Sequence, residues 1–248
     1  MRKVEHIMGL PISVDLRDGD TAAVDRAFEW LREVDARFSP FRPDSEVSRL
    51  DRAERGSGAL DSGGADSGGL SPDLAHVLAL CEHYRLATGG AFQVRRPGRG
   101  LDPCAVVKGW AVQRAADLLA AGGASRYVVN AGGDVVAAGG PWRVGVRHPV
   151  EADRFCVVLE VGEGAVATSG RYERGDHIVD GRTGEPVTDL VSLTVFAPSL
   201  TVADATATAA FAMGLDGIPW AAGQDGCEIY AVDASRRVYR TPGMPVAA

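Results

Sequence analysis

The sequence has 248 residues, 46% of them hydrophobic and 24% charged, with 33 acidic against 26 basic side chains and a formal net charge of −7. That is ample apolar material for a core, and an acidic balance with no basic cluster excludes a nucleic-acid backbone as partner. No apolar run nears the roughly 20 residues that span a bilayer, and the opening apolar stretch, Ile7 to Pro11, is too short for a signal peptide before Asp15 and Arg17 interrupt it, so a cytoplasmic protein is expected.

Residues 7–16 alternate loosely and predict a strand. Ala23, Ala27, Trp30, Leu31 and Val34 then recur at helix spacing over 20–38, and Ser39-Pro40-Phe41-Arg42-Pro43 ends that helix because proline cannot continue the ladder. Asp44 to Leu50 reads as a turn. Residues 55–70 are rich in Gly, Ser and Asp and read as a mobile surface loop inside one domain spanning 1–248, not as a boundary. Ser71-Pro72-Asp73 opens a second helix that Gly89-Gly90 stops near Thr88. A third helix is predicted from about Val107 to Ala121 and a fourth over about 202–214. Short strands are expected at 127–131, 135–138, 142–147, 155–161, 165–168, 177–180, 191–197, 227–232 and 237–240. With no regular βαβ alternation, the class is α+β with largely antiparallel sheets and about four helices.

Cys81, Cys104, Cys156 and Cys227 lie far apart without a C-x-x-C, which argues for free buried thiols. Lys3 and Lys108 are the only lysines and Asn130 the only asparagine, so neither Lys108 nor Asn130 reads as filler. Lys108-Gly109 near a helix start suits an anion, through unpaired amides and a compact charge, or is an ordinary surface lysine. Asn130-Ala131-Gly132-Gly133-Asp134 follows a strand. The paired glycines let backbone approach a ligand that Asn130 and Asp134 bond, or they form a tight turn. Thr168-Ser169 offers hydroxyls to a phosphate or ribose, or only makes a turn. His177 and Asp180 suit a base and its orienting carboxylate, provided that a turn brings them together, since i and i+3 of a strand face opposite sides, or His177 is a structural histidine at a strand start. Asp204 and Thr208 share a helix face and make a hard-oxygen site for Mg²⁺, or else Thr201-x-x-Asp204 is a capping box.

In this order, the segments resemble the ApbE family, the FAD:protein FMN transferases. The resemblance runs from Met8-Gly9 through Ser39-Pro40-Phe41, Ser45 to Leu50, Val107-Lys108-Gly109, Asn130 to Asp134, Ala167 to Gly170 and His177 to Gly184, ending with Asp204 to Thr208 and Gly214. It implies a T-fold-related domain that takes FAD as substrate with Mg²⁺. A Ser or Thr hydroxyl of an acceptor protein attacks the phosphorus next to the FMN half, and AMP leaves. By the same resemblance Asp204, Thr208 and the backbone carbonyl of Val107 hold the metal. His177 with Asp180 activates the hydroxyl. Met8, Phe41, Lys108, Asn130, Gly132, Gly133, Asp134, Thr168 and Ser169 line the FAD site. The chain departs from the family at Leu10, where Thr is usual, at Asp51 for Asn, at Gln113 for Asp, which weakens one flavin-side contact, and at Gly181 for Pro. With no lipoprotein-type leader, the acceptor is expected in or facing the cytosol. Hydrolysis of FAD to FMN and AMP, or flavin binding without turnover, are the alternatives.

Overall fold

The computed structural model describes residues 1–56, 70–96, 100–149, 151, 153–171, 175 and 177–248. Among them the chain order is β1 (Arg2–Ile7), β2 (Leu10–Leu16), α1 (Ala22–Phe38), α2 (Glu46–Gly56), α3 (Pro72–Ala87), β3 (Arg95–Arg96), β4 (Gly100–Leu101), α4 (Cys104–Ala121), β5 (Tyr127–Ala131), β6 (Asp134–Ala138), β7 (Trp142–Arg147), β8 (Phe155–Val161), β9 (Gly164–Gly170), β10 (Leu190–Ala197), α5 (Leu200–Ala212), a 3-10 turn (Gly214–Asp216), α6 (Gly217–Ala222), β11 (Glu228–Asp233) and β12 (Val238–Arg240).

Eight strands form one sheet in the order β1-β2-β5-β6-β9-β10-β11-β12, with every neighbouring pair antiparallel. Side chains alternate across it as the strand period demands. Val129, Val136, Ala165, Ala167, Ile229 and Ala231 face the main core, which also takes the apolar stripes of α1, α3, α4 and α5. Val135, Ala137, Val166, Tyr230 and Val232 face the other side, where Val146, Leu159 and Val161 of the β7–β8 hairpin cover them together with Met244. The class is therefore α+β with antiparallel sheets, as the sequence predicts. The central strands are apolar on both faces because both faces are covered.

Helix α5 is apolar almost all round, which fits its burial against β9, β10, α4 and α6. Gly109 sets its distance from α4: a Cβ there would lie 2.6 Å from the Leu200 carbonyl oxygen and 2.7 Å from Asp204 Cβ. Only glycine permits this crossing.

Several elements differ from the expectation. The strand expected at 7–16 holds as β2 over 10–16, the second arm of a hairpin with β1, with Met8 and Gly9 at φ 56° and 71° as its two-residue turn. The turn expected at Asp44 to Leu50 contains the start of α2, and the loop expected at 55–70 lies, from 57 to 69, outside the described residues. Arg37 explains α2: its guanidinium bonds Glu46 at 2.7 Å, Asp73 at 3.1 Å and the Ser71 hydroxyl at 3.1 Å, tying α1, α2 and α3 together. Helix α4 begins at Cys104, so Lys108 sits in its second turn and not at its start. The strand expected at 177–180 reduces to a single bridge between Val179 and Pro186. Six α-helices stand among the described residues, where about four were expected.

Candidate active site

A cavity of about 540 Å³ opens between the sheet and the helices. One side is the β1–β2 turn with Met8 and Leu10, followed by Phe38 to Phe41 at the end of α1. The first turns of α4 supply Val107 and Lys108, β9 supplies Thr168 and Ser169, α5 supplies Asp204 and Thr208, and His177 closes a further side. Met8 is a non-glycine residue in the left-handed region, the kind of local strain that collects at ligand sites. Phe41 is 86% exposed and also borders a smaller cavity of about 270 Å³ with Asp51 and Arg52.

Three charged side chains meet at the cavity wall, Lys108 and Asp204 lining it and Asp134 behind them. Lys108 Nζ lies 2.5 Å from Asp134 Oδ2 and 3.1 Å from Asp204 Oδ1. Both carboxylates are buried, and Asp204 Oδ2 has no hydrogen-bond partner. Burial alone would lower the Lys108 pKa, but Asp204 and Asp134 outweigh it and raise it. For Asp204, burial is the largest influence and raises the pKa, Asp134 adds to the rise, and Lys108 opposes it. Two carboxylates against one ammonium leave one buried negative charge uncompensated. Such a site favours a further cation. Among the described residues no group of three or more His, Cys, Asp and Glu side chains could hold a metal. The donors here are instead hard oxygens of mixed kind: the orphaned Asp204 Oδ2 and the Thr208 hydroxyl, which lies 3.1 Å from the Ser169 hydroxyl. They suit Mg²⁺ that completes its shell with water or phosphate.

The capping reading of Asp204 fails. Ser199 is the N-cap, its hydroxyl accepting from the Val202 amide at 3.4 Å, and Asp204 lies farther along α5, facing α4. Asp180 does not orient His177: its carboxylate takes Arg182 at 2.7–3.0 Å. His177 Nδ1 lies 3.1 Å from the Gly175 carbonyl oxygen, which can only accept, so this contact calls for a proton on Nδ1. Asn130 is turn chemistry, since its Oδ1 accepts from the Gly133 amide at 3.0 Å. Gly132, with φ 60°, lines the cavity, whereas Asn130, Gly133, Asp134 and Asp180 do not. Phe92, Gln93, Asp102, Cys104 and Ala105 also line it and were missed in the sequence. Asp102 had a local signal: its Oδ1 accepts from the Cys104 amide at 3.1 Å where α4 starts.

A sequence model of the ApbE family matches residues 8–96 and 93–231. The chain belongs to the ApbE family. Relatives include an FAD:protein FMN transferase of Rhodobacter capsulatus, 35% identical over 171 residues, covering 63% of this chain and 32% of that protein. Another, of Klebsiella pneumoniae, is 29% identical over 160 residues, covering 58% of this chain and 46% of that protein. The matched part thus spans less than half of these curated relatives. The fold resembles that of the flavin transferase ApbE of Vibrio cholerae, with a TM-score of 0.81 at 22% identity over 98% of this chain and 97% of that one.

Three of the four departures from the usual ApbE pattern make local contacts in the fold. Gln113 makes no cavity contact. Its Oε1 accepts from the Leu200 amide at 2.7 Å and so caps α5. Gly181 donates its N–H to the Ala91 carbonyl at 2.8 Å, which proline could not do, and a Cβ there would collide with Gln93. Asp51 Oδ1 accepts from the Leu101 amide at 2.9 Å.

Proposed function

We propose that this chain is an FAD:protein FMN transferase, which moves the FMN half of FAD onto a Ser or Thr hydroxyl of an acceptor protein and releases AMP. The observation that carries the reading is the Asp134–Lys108–Asp204 group, two buried carboxylates against one half-buried ammonium and so one positive charge short of balance, at the wall of a cavity of nucleotide-binding size. Membership of the ApbE family and the activity named for the relatives support it.

Asp204 through Oδ2 and Thr208 through its hydroxyl would hold Mg²⁺, with the Val107 carbonyl of the same cavity as a further donor. Bound there, the ion supplies charge neutralisation for the pyrophosphate and the leaving AMP phosphate. Lys108 adds a fixed positive charge on the phosphate side. Thr168 keeps its place because its hydroxyl meets that of Thr194 at 2.9 Å and its N–H bonds Asp134 at 3.1 Å. Met8, Phe41 and Gly132 line the remaining walls against the flavin nucleotide. His177 Nε2 takes the acceptor hydroxyl's proton as that oxygen bonds to the FMN phosphorus and the bond from phosphorus to the AMP oxygen breaks.

Calorimetry with FAD, FMN and AMP, each with and without Mg²⁺, tests the substrate assignment. FAD should bind most tightly and Mg²⁺ should strengthen it. FMN binding as tightly as FAD would mean that the cavity does not read the dinucleotide.

A further inference from the structure

The three-charge group contains a residue that does not reach the cavity. Asp134 is 3% exposed, at the start of β6, directly after the left-handed Gly132-Gly133 turn. Its Oδ1 accepts from the Thr168 amide at 3.1 Å and its Oδ2 lies 2.5 Å from Lys108 Nζ. Lys108 and Thr168 do line the cavity. Asp134 therefore stands behind two cavity residues and touches both.

We propose that Asp134 is a positioning residue for the transfer reaction: it anchors the Lys108 ammonium from behind and fixes the Thr168 wall, so that Lys108 stands between Asp204 and the phosphates. The inference rests on the transferase reading for its catalytic consequence, but not for the contact itself. A lysine side chain has several rotatable bonds and no intrinsic preference for one place. Asp204 alone would hold it at one oxygen, on the residue that also offers Oδ2 to a metal. Asp134 supplies the second contact, which lets Lys108 keep its position when Asp204 turns to another cation. The Asn130 side chain, through the Gly133 amide, stabilises the turn that delivers Asp134.

Composition makes the test clean, since Lys3 and Lys108 are the only lysines. Lys3, which pairs with Asp25 and Glu5 and does not line the cavity, serves as the internal reference. Purified wild type, Asp134→Asn and Asp134→Glu are treated briefly with a lysine-acylating reagent, and the Lys108:Lys3 labelling ratio is read by mass spectrometry. FAD affinity and AMP release are measured on the same preparations, and in the Lys108→Met background. Asp134→Asn keeps the acceptor for Thr168 and removes the charge. It should raise Lys108 labelling several-fold and lower FAD affinity or turnover by about 10–100-fold, the usual cost of losing a partner of this kind. Adding Lys108→Met should bring little further loss, because the two act through one contact. Asp134→Glu keeps the charge and should outperform Asp134→Asn.

If Asp134 only fills space, the larger Glu does worse than the isosteric Asn, Lys108 labelling stays at the wild-type ratio, and the two substitutions add. Any of those results overturns the proposal. Should wild type neither bind FAD nor release AMP, the transferase reading fails, and the labelling ratio still decides whether Asp134 holds Lys108.

Discussion

Gly109→Ala tests whether the close approach of α4 and α5 is what brings Lys108 to Asp204. The new Cβ would lie 2.6 Å from the Leu200 carbonyl oxygen, 2.7 Å from Asp204 Cβ and 3.0 Å from Asp204 Oδ2. Ordinary contact needs about 3.5 Å, so α5 must withdraw by roughly 1 Å. Its Leu200 end is backbone and cannot rotate away. Overpacking of this kind costs about 1–3 kcal/mol, and the better helix propensity of alanine offsets about 1 kcal/mol of that. The net loss of about 0–2 kcal/mol should lower Tm by no more than about 8 °C. Activity should suffer far more, because a misplacement of about 1 Å at a reacting site costs about 10²-fold. Thermal melts and AMP-release rates per folded molecule, on one preparation, separate the two effects. Unchanged melting together with turnover within about twofold of wild type would refute the idea that this glycine sets the site.

Three further outcomes are expected. Asp204→Asn removes one of two buried carboxylates and leaves Lys108 and Asp134 in balance, so the ligand-free variant should melt at or above wild type while Mg²⁺-dependent turnover is lost; a drop of several degrees would make the charge structural. His177→Ala should slow transfer by about 10²–10⁴ with little change in FAD affinity, and loss of FAD binding at preserved turnover per bound complex would make it a binding residue instead. For Glu46, burial raises the pKa, but the Ser71 hydroxyl and Arg37 outweigh it and hold the carboxyl below its ordinary value. Its stabilisation is thus full above the ordinary carboxylate range and lost as pH falls through the lowered value, so Glu46→Gln should melt below wild type at neutral pH with the gap closing in acid, and a gap that persists in strong acid would contradict the assignment.

The helices with an apolar stripe were legible in the sequence, and so were most central strands. Helix α2 was not, because Glu46 to Gly56 carries little beyond Val47 and Leu50 to bury and is held by Arg37 from another helix. Strand β1 was missed because it is an edge strand whose exposed positions carry Arg2, Val4 and His6. Helix α6 contains Gly217 and Pro219, which read as breakers, yet a Gly217 Cβ would strike the Ala210 carbonyl, so the glycine is there for packing on α5. In the site, Lys108, Asp134 and Asp204 each stood out alone, but their meeting depends on α4, β6 and α5 coming together. Local spacing also misled: His177 and Asp180 look paired along the chain, while Arg182, two residues on, takes the carboxylate. Phe92, Gln93 and Ala105 carry no chemical signal of their own and become cavity wall only through the fold.

The most direct test of the transferase assignment is the mass of an acceptor protein after incubation with this chain, FAD and Mg²⁺. The account predicts a gain of one FMN in phosphoester linkage at a Ser or Thr, AMP released in equal amount, and no gain with Asp204→Ala. AMP and FMN released equally with or without acceptor, and no change in acceptor mass, would show a hydrolase; FAD bound and left intact would show a flavin-binding protein, and either result would contradict the transferase assignment.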